Sequence, residues 1–287
     1  MMTKYCYWSV CDGAYDTMME HCVRTARGVG VFKEFHVLAD RRLAGCECYD
    51  AYQCDKASGL FKLHYLKLGM SELNYDWFVW LDADTVFVRN PVDVLEPLGQ
   101  SPIHLPLTTN LSALTEDREY RGFSCFKLRD LLRQEGIVNQ PYLSRSAFWI
   151  VHHDVIDEVY EIALSFWRRA NDAGLSVGAD AAIGYVMQIL CADPEAHTVL
   201  KHPHLWGSDD QGQFRCSLPD ARSWTWRDLL VNEAAPVWPA IVHLPHSKDL
   251  LSLAHHGRPD RGHTETTPAE RTAADHEDAH SQHWSKS

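Results

Sequence analysis

The sequence predicts an α/β protein built on a mixed, mainly parallel central sheet flanked by helices. Two observations carry that expectation. Apolar segments of strand length alternate with helix-period segments over residues 4–90, and such alternation indicates parallel strands joined by right-handed crossovers. The run Trp77-Phe78-Val79-Trp80-Leu81 is apolar at every position, which suits a strand covered on both faces.

Residues 4–12 read as the first strand, in which Tyr5, Tyr7 and Val10 interleave with Cys6 and Trp8 before Asp12-Gly13 ends it. A helix from Asp16 to Arg27 places Met19, Cys22, Val23 and Ala26 on one stripe. Phe35-His36-Val37-Leu38-Ala39 is the next strand. Residues 58–70 form a helix whose Leu60, Leu63, Tyr65, Leu66 and Leu68 cover more than one face. The Trp77 strand follows, and Asn90-Pro91 closes this unit. From Gln100 to Pro141, mixed charge and several breakers predict irregular loops.

Phe148-Trp149-Ile150-Val151 is a further short strand. Asp154 is expected to cap the helix after it, because its carboxylate can accept from the orphan N–H groups of a first turn. Asp157 and Glu158 suit the positive end of that helix. Val155, Val159, Ile162, Ala163, Phe166 and Trp167 form its buried stripe, and Gly174 stops it. Another helix runs from about Asp180 to Cys191. Residues 255–287 contain no Leu, Ile, Val, Phe or Met. Such a segment cannot offset its ordering entropy, and a disordered polar tail is expected there. Residues 1–254 then form one folded unit, with a division near residue 90.

Composition narrows the partners. A 45% hydrophobic fraction in 287 residues builds a sizeable core. The net charge of −12 argues against nucleic acid or an anionic membrane as the main partner. The opening Met-Met-Thr-Lys-Tyr-Cys-Tyr-Trp-Ser-Val has no signal-peptide core, and no run approaches the roughly 18 apolar residues of a transmembrane segment. A cytoplasmic protein with reduced thiols is expected. Cys46, Cys48 and Cys54 cluster, but without the paired Cys-x-x-Cys spacing of structural zinc modules, so free thiols are the expected state.

The chemistry concentrates at Asp82 and Asp84, which interrupt an otherwise apolar run. An unpaired buried carboxylate is heavily penalised. In extended backbone, residues i and i+2 project to one side, so the two groups would converge on one point. A hard divalent cation there, Mg²⁺ or Mn²⁺, removes the penalty.

Leu81-Asp82-Ala83-Asp84-Thr85 resembles the Asp-x-Asp motif of nucleotide-sugar glycosyltransferases with the GT-A fold, a Rossmann-like architecture. The nearest resemblance is to the glycogenin and bacterial galactosyltransferase group. Three further segments match in order. Val10-Cys11-Asp12-Gly13-Ala14-Tyr15 is similar to the end of the family's first strand, which implies that Tyr15 stacks on the nucleotide base with Asp12 near the ribose or base edge. The same residues also suit a plain strand-to-helix turn with Tyr15 packed in the core. Ser144-Arg145-Ser146-Ala147-Phe148 stands where the family has Asn-Ser-Gly before a strand, with Arg145 for Asn and Ala147 for Gly. Ile241-Val242-His243-Leu244-Pro245-His246-Ser247-Lys248 resembles the C-terminal His…Lys segment, which implies His243 as third metal ligand beside Asp82 and Asp84. It implies Lys248 as a diphosphate contact.

The resemblance implies a metal-dependent glycosyltransferase that takes a sugar from a nucleotide-sugar donor, UDP-linked, to a saccharide, lipid-linked or protein acceptor with retention. Residues 1–90 would be the nucleotide-binding half and 91–254 the acceptor-binding half. Lys56 and Lys62 could add charge at the phosphates or lie on a solvated helix face. Asp180 stands where the family has an acidic residue facing the donor sugar, with Ala181 in place of the usual Gln. It could orient sugar hydroxyls, act as a base, or simply cap a helix. Asp209 and Asp210 suit acceptor contact or a solvated loop, and Trp206, Trp224 and Trp226 suit sugar stacking or core packing.

Two other readings compete. A sugar-nucleotide pyrophosphorylase needs a Gly- and Arg-rich phosphate loop after the first strand, whereas this chain offers one glycine and no cation before Arg24. A non-catalytic sugar-nucleotide-binding module of the same fold is kept open by the altered Asn-Ser-Gly and Asp-Gln positions.

Overall fold

The computed structural model describes residues 4–13, 15–50, 60–70, 73–95, 98, 101–138, 141–191, 193–194, 198, 204–208, 214–216, 230–232 and 239–245. The first unit comprises β1 (Tyr5–Val10), α1 (Asp16–Gly28), β2 (Phe35–Ala39), β3 (Glu47–Asp50), α2 (Phe61–Met70), β4 (Trp77–Leu81) and β5 (Thr85–Phe87). There follow α3 (Val92–Leu95), β6 (Ile103–His104), β7 (Leu107–Asn110), β8 (Glu119–Tyr120), β9 (Phe123–Ser124), α4 (Cys125–Gln134) and β10 (Tyr142–Ser144). The remaining elements are β11 (Phe148–His152), α5 (Ile156–Asp172), α6 (Ala179–Leu190), β12 (Trp206–Ser208), β13 (Phe214–Cys216), β14 (Leu230–Asn232) and β15 (Ile241–His243).

The central sheet has the order β3-β2-β1-β4-β11-β6. Strands β3, β2, β1 and β4 are parallel, and at the far edge β11 runs antiparallel to both β4 and β6. The expected mixed, mainly parallel sheet is therefore present. All five residues of β4 are buried, because β1 and β11 flank the strand and both of its faces are covered. The pleat sends alternate residues to opposite faces. Cys6, Trp8, Phe78, Trp80 and Trp149 join the core under α2, α4, α5 and α6. Tyr5, Tyr7, Trp77, Val79, Leu81 and Phe148 join the core under α1. Trp80 and Trp149 are register partners on β4 and β11, with ring centroids 6.0 Å apart. Burying a large apolar side chain contributes about 1.5–3 kcal/mol, so these aromatics anchor the strand that carries the acidic pair.

A second sheet, β12-β15-β5, pairs His243 with Thr85 and with Ser208. This pairing brings the C-terminal part of the chain back to the end of β4.

Several elements differ from expectation. Asp154 does not cap α5. The segment His153–Val155 is a 3-10 turn in which the Asp154 N–H donates to His152 Nδ1 (3.3 Å), and Val155 stands at the N-cap of α5 with no side-chain cap. The stop at Gly174 is as expected, with a positive φ of 74°. The span from Gln100 to Pro141 is more regular than its composition suggests. It contains β6, β7, the β8–β9 hairpin and α4. Ser124 caps α4 by accepting from the Lys127 N–H (3.1 Å), and Cys125, Leu128, Leu131 and Leu132 form its buried stripe. Cys6, Cys11, Cys22, Cys46, Cys48, Cys125 and Cys191 are free thiols. Among the described residues no helix is long and apolar enough to cross a membrane. Cys54, Lys56 and the 255–287 tail lie outside the described residues.

Candidate functional site

Asp82, Asp84 and His243 converge, each offering one ligand atom, with these atoms within 4.8 Å of one another. The convergence does not come from an extended strand. Both carboxylates belong to the turn between β4 and β5, where the parallel sheet ends and the chain crosses to the second sheet. His243 enters as the last residue of β15. The Leu244 N–H donates to the Asp84 carbonyl at 2.8 Å, which locks the two segments together. His243 Nε2 lies 3.2 Å from Asp84 Oδ1, while Nδ1 meets Ser208 Oγ at 3.2 Å. Ser208 is thus an orienting partner that the bare sequence did not signal.

Asp84 and His243 are buried, and Asp82 is partly open. Burial pushes the Asp84 carboxyl up. The hydrogen bond and charge of His243, with its own backbone N–H and the charge of Lys62, outweigh that effect and hold it below the usual carboxylate range. Two carboxylates and an imidazole fixed through its second nitrogen form a donor set that fits a hard divalent cation.

Lys62 is buried on α2 and does not lie on a solvated face. Its Nζ reaches Asp82 Oδ1 at 2.5 Å and the Ser146 carbonyl at 3.1 Å, and sits 5.1 Å from the Trp80 ring centroid. Trp80 Nε1–H donates to the same Asp82 oxygen at 2.8 Å. The Asp82 N–H donates to Ala147 O at 3.0 Å, so the Ser146-Ala147 segment meets the acidic turn once directly and once through Lys62.

Asp180 is buried in the first turn of α6, but Gly178 is the N-cap and Asp180 caps nothing. Its Oδ1 accepts from the Ser146 N–H at 2.7 Å. Its Oδ2 accepts from Tyr120 OH at 3.1 Å and pairs with Arg121 at 2.6 Å. A chain of direct bonds therefore runs from Asp82 through Lys62 and Ser146 to Asp180 and the β8–β9 hairpin. Sequence reading missed Tyr120 and Arg121, whose spacing carries no motif.

Asp12 and Tyr15 lie beyond the carboxyl end of β1, next to β4, on the edge where ligands of open parallel sheets bind. Tyr15 is exposed, not packed in the core, and Asp12 is exposed. Trp206 is core: it is buried and stacks on Phe148 with centroids 6.3 Å apart. Lys248, Asp209, Asp210, Trp224 and Trp226 lie outside the described residues.

No protein-family model and no curated protein sequence matches the chain. Solved structures do. The galactosyltransferase LgtC in complex with donor and acceptor sugar analogues matches with a TM-score of 0.54 at 10% identity, over 87% of this chain and 95% of LgtC. An active-site mutant of LgtC matches with the same score at 11% identity, over 88% and 95%. The bifunctional glycosyltransferase WbbM, in its apo structure, matches with 0.52 at 10% identity over 85% of this chain and 46% of WbbM. The chain has the GT-A fold of these proteins.

Proposed function

We propose that the chain is a metal-dependent glycosyltransferase that uses a nucleotide-activated, UDP-linked sugar. The single observation that supports this best is the convergence of Asp82, Asp84 and His243 at the end of β4 in a GT-A fold. Asp82, Asp84 and His243 hold Mn²⁺ or Mg²⁺ in this reading. The ion supplies positive charge to offset the negative charge that grows on the diphosphate as the sugar–phosphate bond breaks. Lys62 orients Asp82 and keeps a cation beside the pair. Tyr15 and Asp12 take the nucleoside at the neighbouring strand end, and Lys248 contacts the diphosphate. Asp180 positions the donor sugar through the Ser146 segment. Transfer with retention to a saccharide, lipid-linked or protein acceptor completes the reading, and the free thiols fit a reducing compartment.

A second reading has one observation in its favour. The Asp180 carboxylate already accepts from Ser146, Tyr120 and Arg121, which suits a binding module that does not turn over. Release of nucleoside diphosphate from UDP- and GDP-sugars, with and without Mn²⁺, separates the two. Metal-dependent release that falls about 10³-fold in Asp84→Asn is the expected result. Release that ignores both the metal and the substitution would refute the proposed function, and binding without release would favour the module.

A further inference from the structure

Beyond the metal cluster, the β8–β9 hairpin carries an arginine where the backbone disfavours one. Arg121 and Gly122 form the two-residue loop with φ of 47° and 86°. Both positions of such a turn suit Gly or Asn, and a non-glycine residue there costs about 1–2 kcal/mol. The Arg121 side chain is 64% exposed yet reaches the buried Asp180. Its guanidinium carbon lies 5.5 Å from the Tyr120 ring centroid, and that of Arg145 lies 5.6 Å from the same ring. Tyr120 thus stands between the Asp180 carboxylate, 3.1 Å from its hydroxyl, and two guanidiniums. The Arg121 guanidinium pairs one nitrogen with Asp180 while most of its side chain stays open to solvent.

A cavity of about 330 Å³ opens here, bounded by Arg121, Tyr120, Asp180, Trp167, Asn171 and Ser176. A flat indole, two small polar side chains and an exposed guanidinium are the groups that recognise a polar ring carrying an anion. We propose that this cavity binds a sugar ring bearing a carboxylate, with Arg121 pairing to the carboxylate, Trp167 against the ring face and Asn171 and Ser176 on the hydroxyls. The ring belongs either to the donor or to the acceptor. The inference rests on the glycosyltransferase reading for its relevance, since Asp180 joins the cavity to the metal cluster.

Saturation-transfer NMR on the full chain tests it. One arm compares free glucuronate and galacturonate with glucose and galactose, without metal or nucleotide. A second compares UDP-glucuronate with UDP-glucose in the presence of Mn²⁺. Wild-type protein is expected to favour the acidic ring at least fivefold in one arm. Preference in the free-sugar arm assigns the cavity to the acceptor, and preference only in the nucleotide-linked arm assigns it to the donor. Arg121→Gly, which suits the turn and so preserves the hairpin, should abolish the preference, and Arg121→Lys should keep part of it. Equal binding of acidic and neutral rings in both arms, or a preference that survives Arg121→Gly, would overturn the proposal. Because the free-sugar arm needs no turnover, its failure beside metal-dependent nucleotide release leaves the glycosyltransferase reading standing. A retained preference without such release sinks that reading alone.

Discussion

His243 Nε2 stands 3.2 Å from Asp84 Oδ1 across the junction of β15 with the β4–β5 turn. The contact depends on strand register, because His243 is paired with Thr85 on one side and with Ser208 on the other. A ligand set assembled from sequence-distant pieces is only as precise as the sheet that holds it.

Ser208 is buried and fixes the imidazole through Nδ1. Orienting partners of this kind affect metal affinity by about 10–100-fold. Ser208→Ala is expected to weaken Mn²⁺ binding by that factor, read by calorimetry or Mn²⁺ resonance titration. Unchanged affinity would mean that the β12–β15 pairing alone orients the ring.

Lys62→Met leaves two neighbouring carboxylates without their buried cation. Breaking a fully buried ion pair costs about 3–5 kcal/mol. Asp82 is 30% exposed, so solvent screening reduces the expected loss to about 1–2 kcal/mol. Urea unfolding without metal should record that loss, and added Mn²⁺ should raise the variant's stability more than the wild type's. An equal metal response in both proteins would contradict the role given to Lys62.

His36 is held below its ordinary value of 6.5 because burial disfavours the cation more than nearby Glu34, 3.3 Å away, favours it. The unfolded chain therefore takes up a proton at higher pH than the folded one. The stability this gives the folded state is complete above about pH 6.5 and is lost as the pH falls through the lowered folded value. The urea midpoint of the wild type should drop across that window, and His36→Gln should show a flatter profile. Parallel profiles would place the acid sensitivity elsewhere.

Gly184 lets α6 approach β10. A Cβ built at Gly184 would lie 2.9 Å from Ser144 Cβ and closer still to its hydroxyl, which donates to the Asp180 carbonyl. Gly184→Ala is expected to cost about 1–3 kcal/mol by overpacking and to disturb the first turn of α6 that carries Asp180. Denaturant unfolding gives the cost. Recovery in Gly184→Ala combined with Ser144→Gly identifies the clash as its source, and a neutral Gly184→Ala would deny the close approach.

Much of the frame was legible because periodicity reports burial directly. The all-apolar Trp77–Leu81 run suited a strand covered on both faces, and the stripes of α1 and α5 marked which side would pack. The α4 helix was legible in principle from Ser124 and the spacing of Cys125, Leu128, Leu131 and Leu132, but the charged residues around it obscured that stripe. Asp154 fails as a cap because a 3-10 turn over His153–Val155 precedes the helix and puts Val155 at its N-cap.

By itself the sequence determined the α/β frame, the paired acids and the residue types suited to a hard cation, because these follow from local patterning and side-chain chemistry. Only the tertiary structure decided that Asp82 and Asp84 meet in a turn and not along a strand, that Lys62 is buried against Asp82, and that Asp180 is engaged by Ser146, Tyr120 and Arg121. Those facts depend on strand order and register, which bring together residues far apart in the chain, and no short-range pattern encodes which distant partner a charged side chain will find.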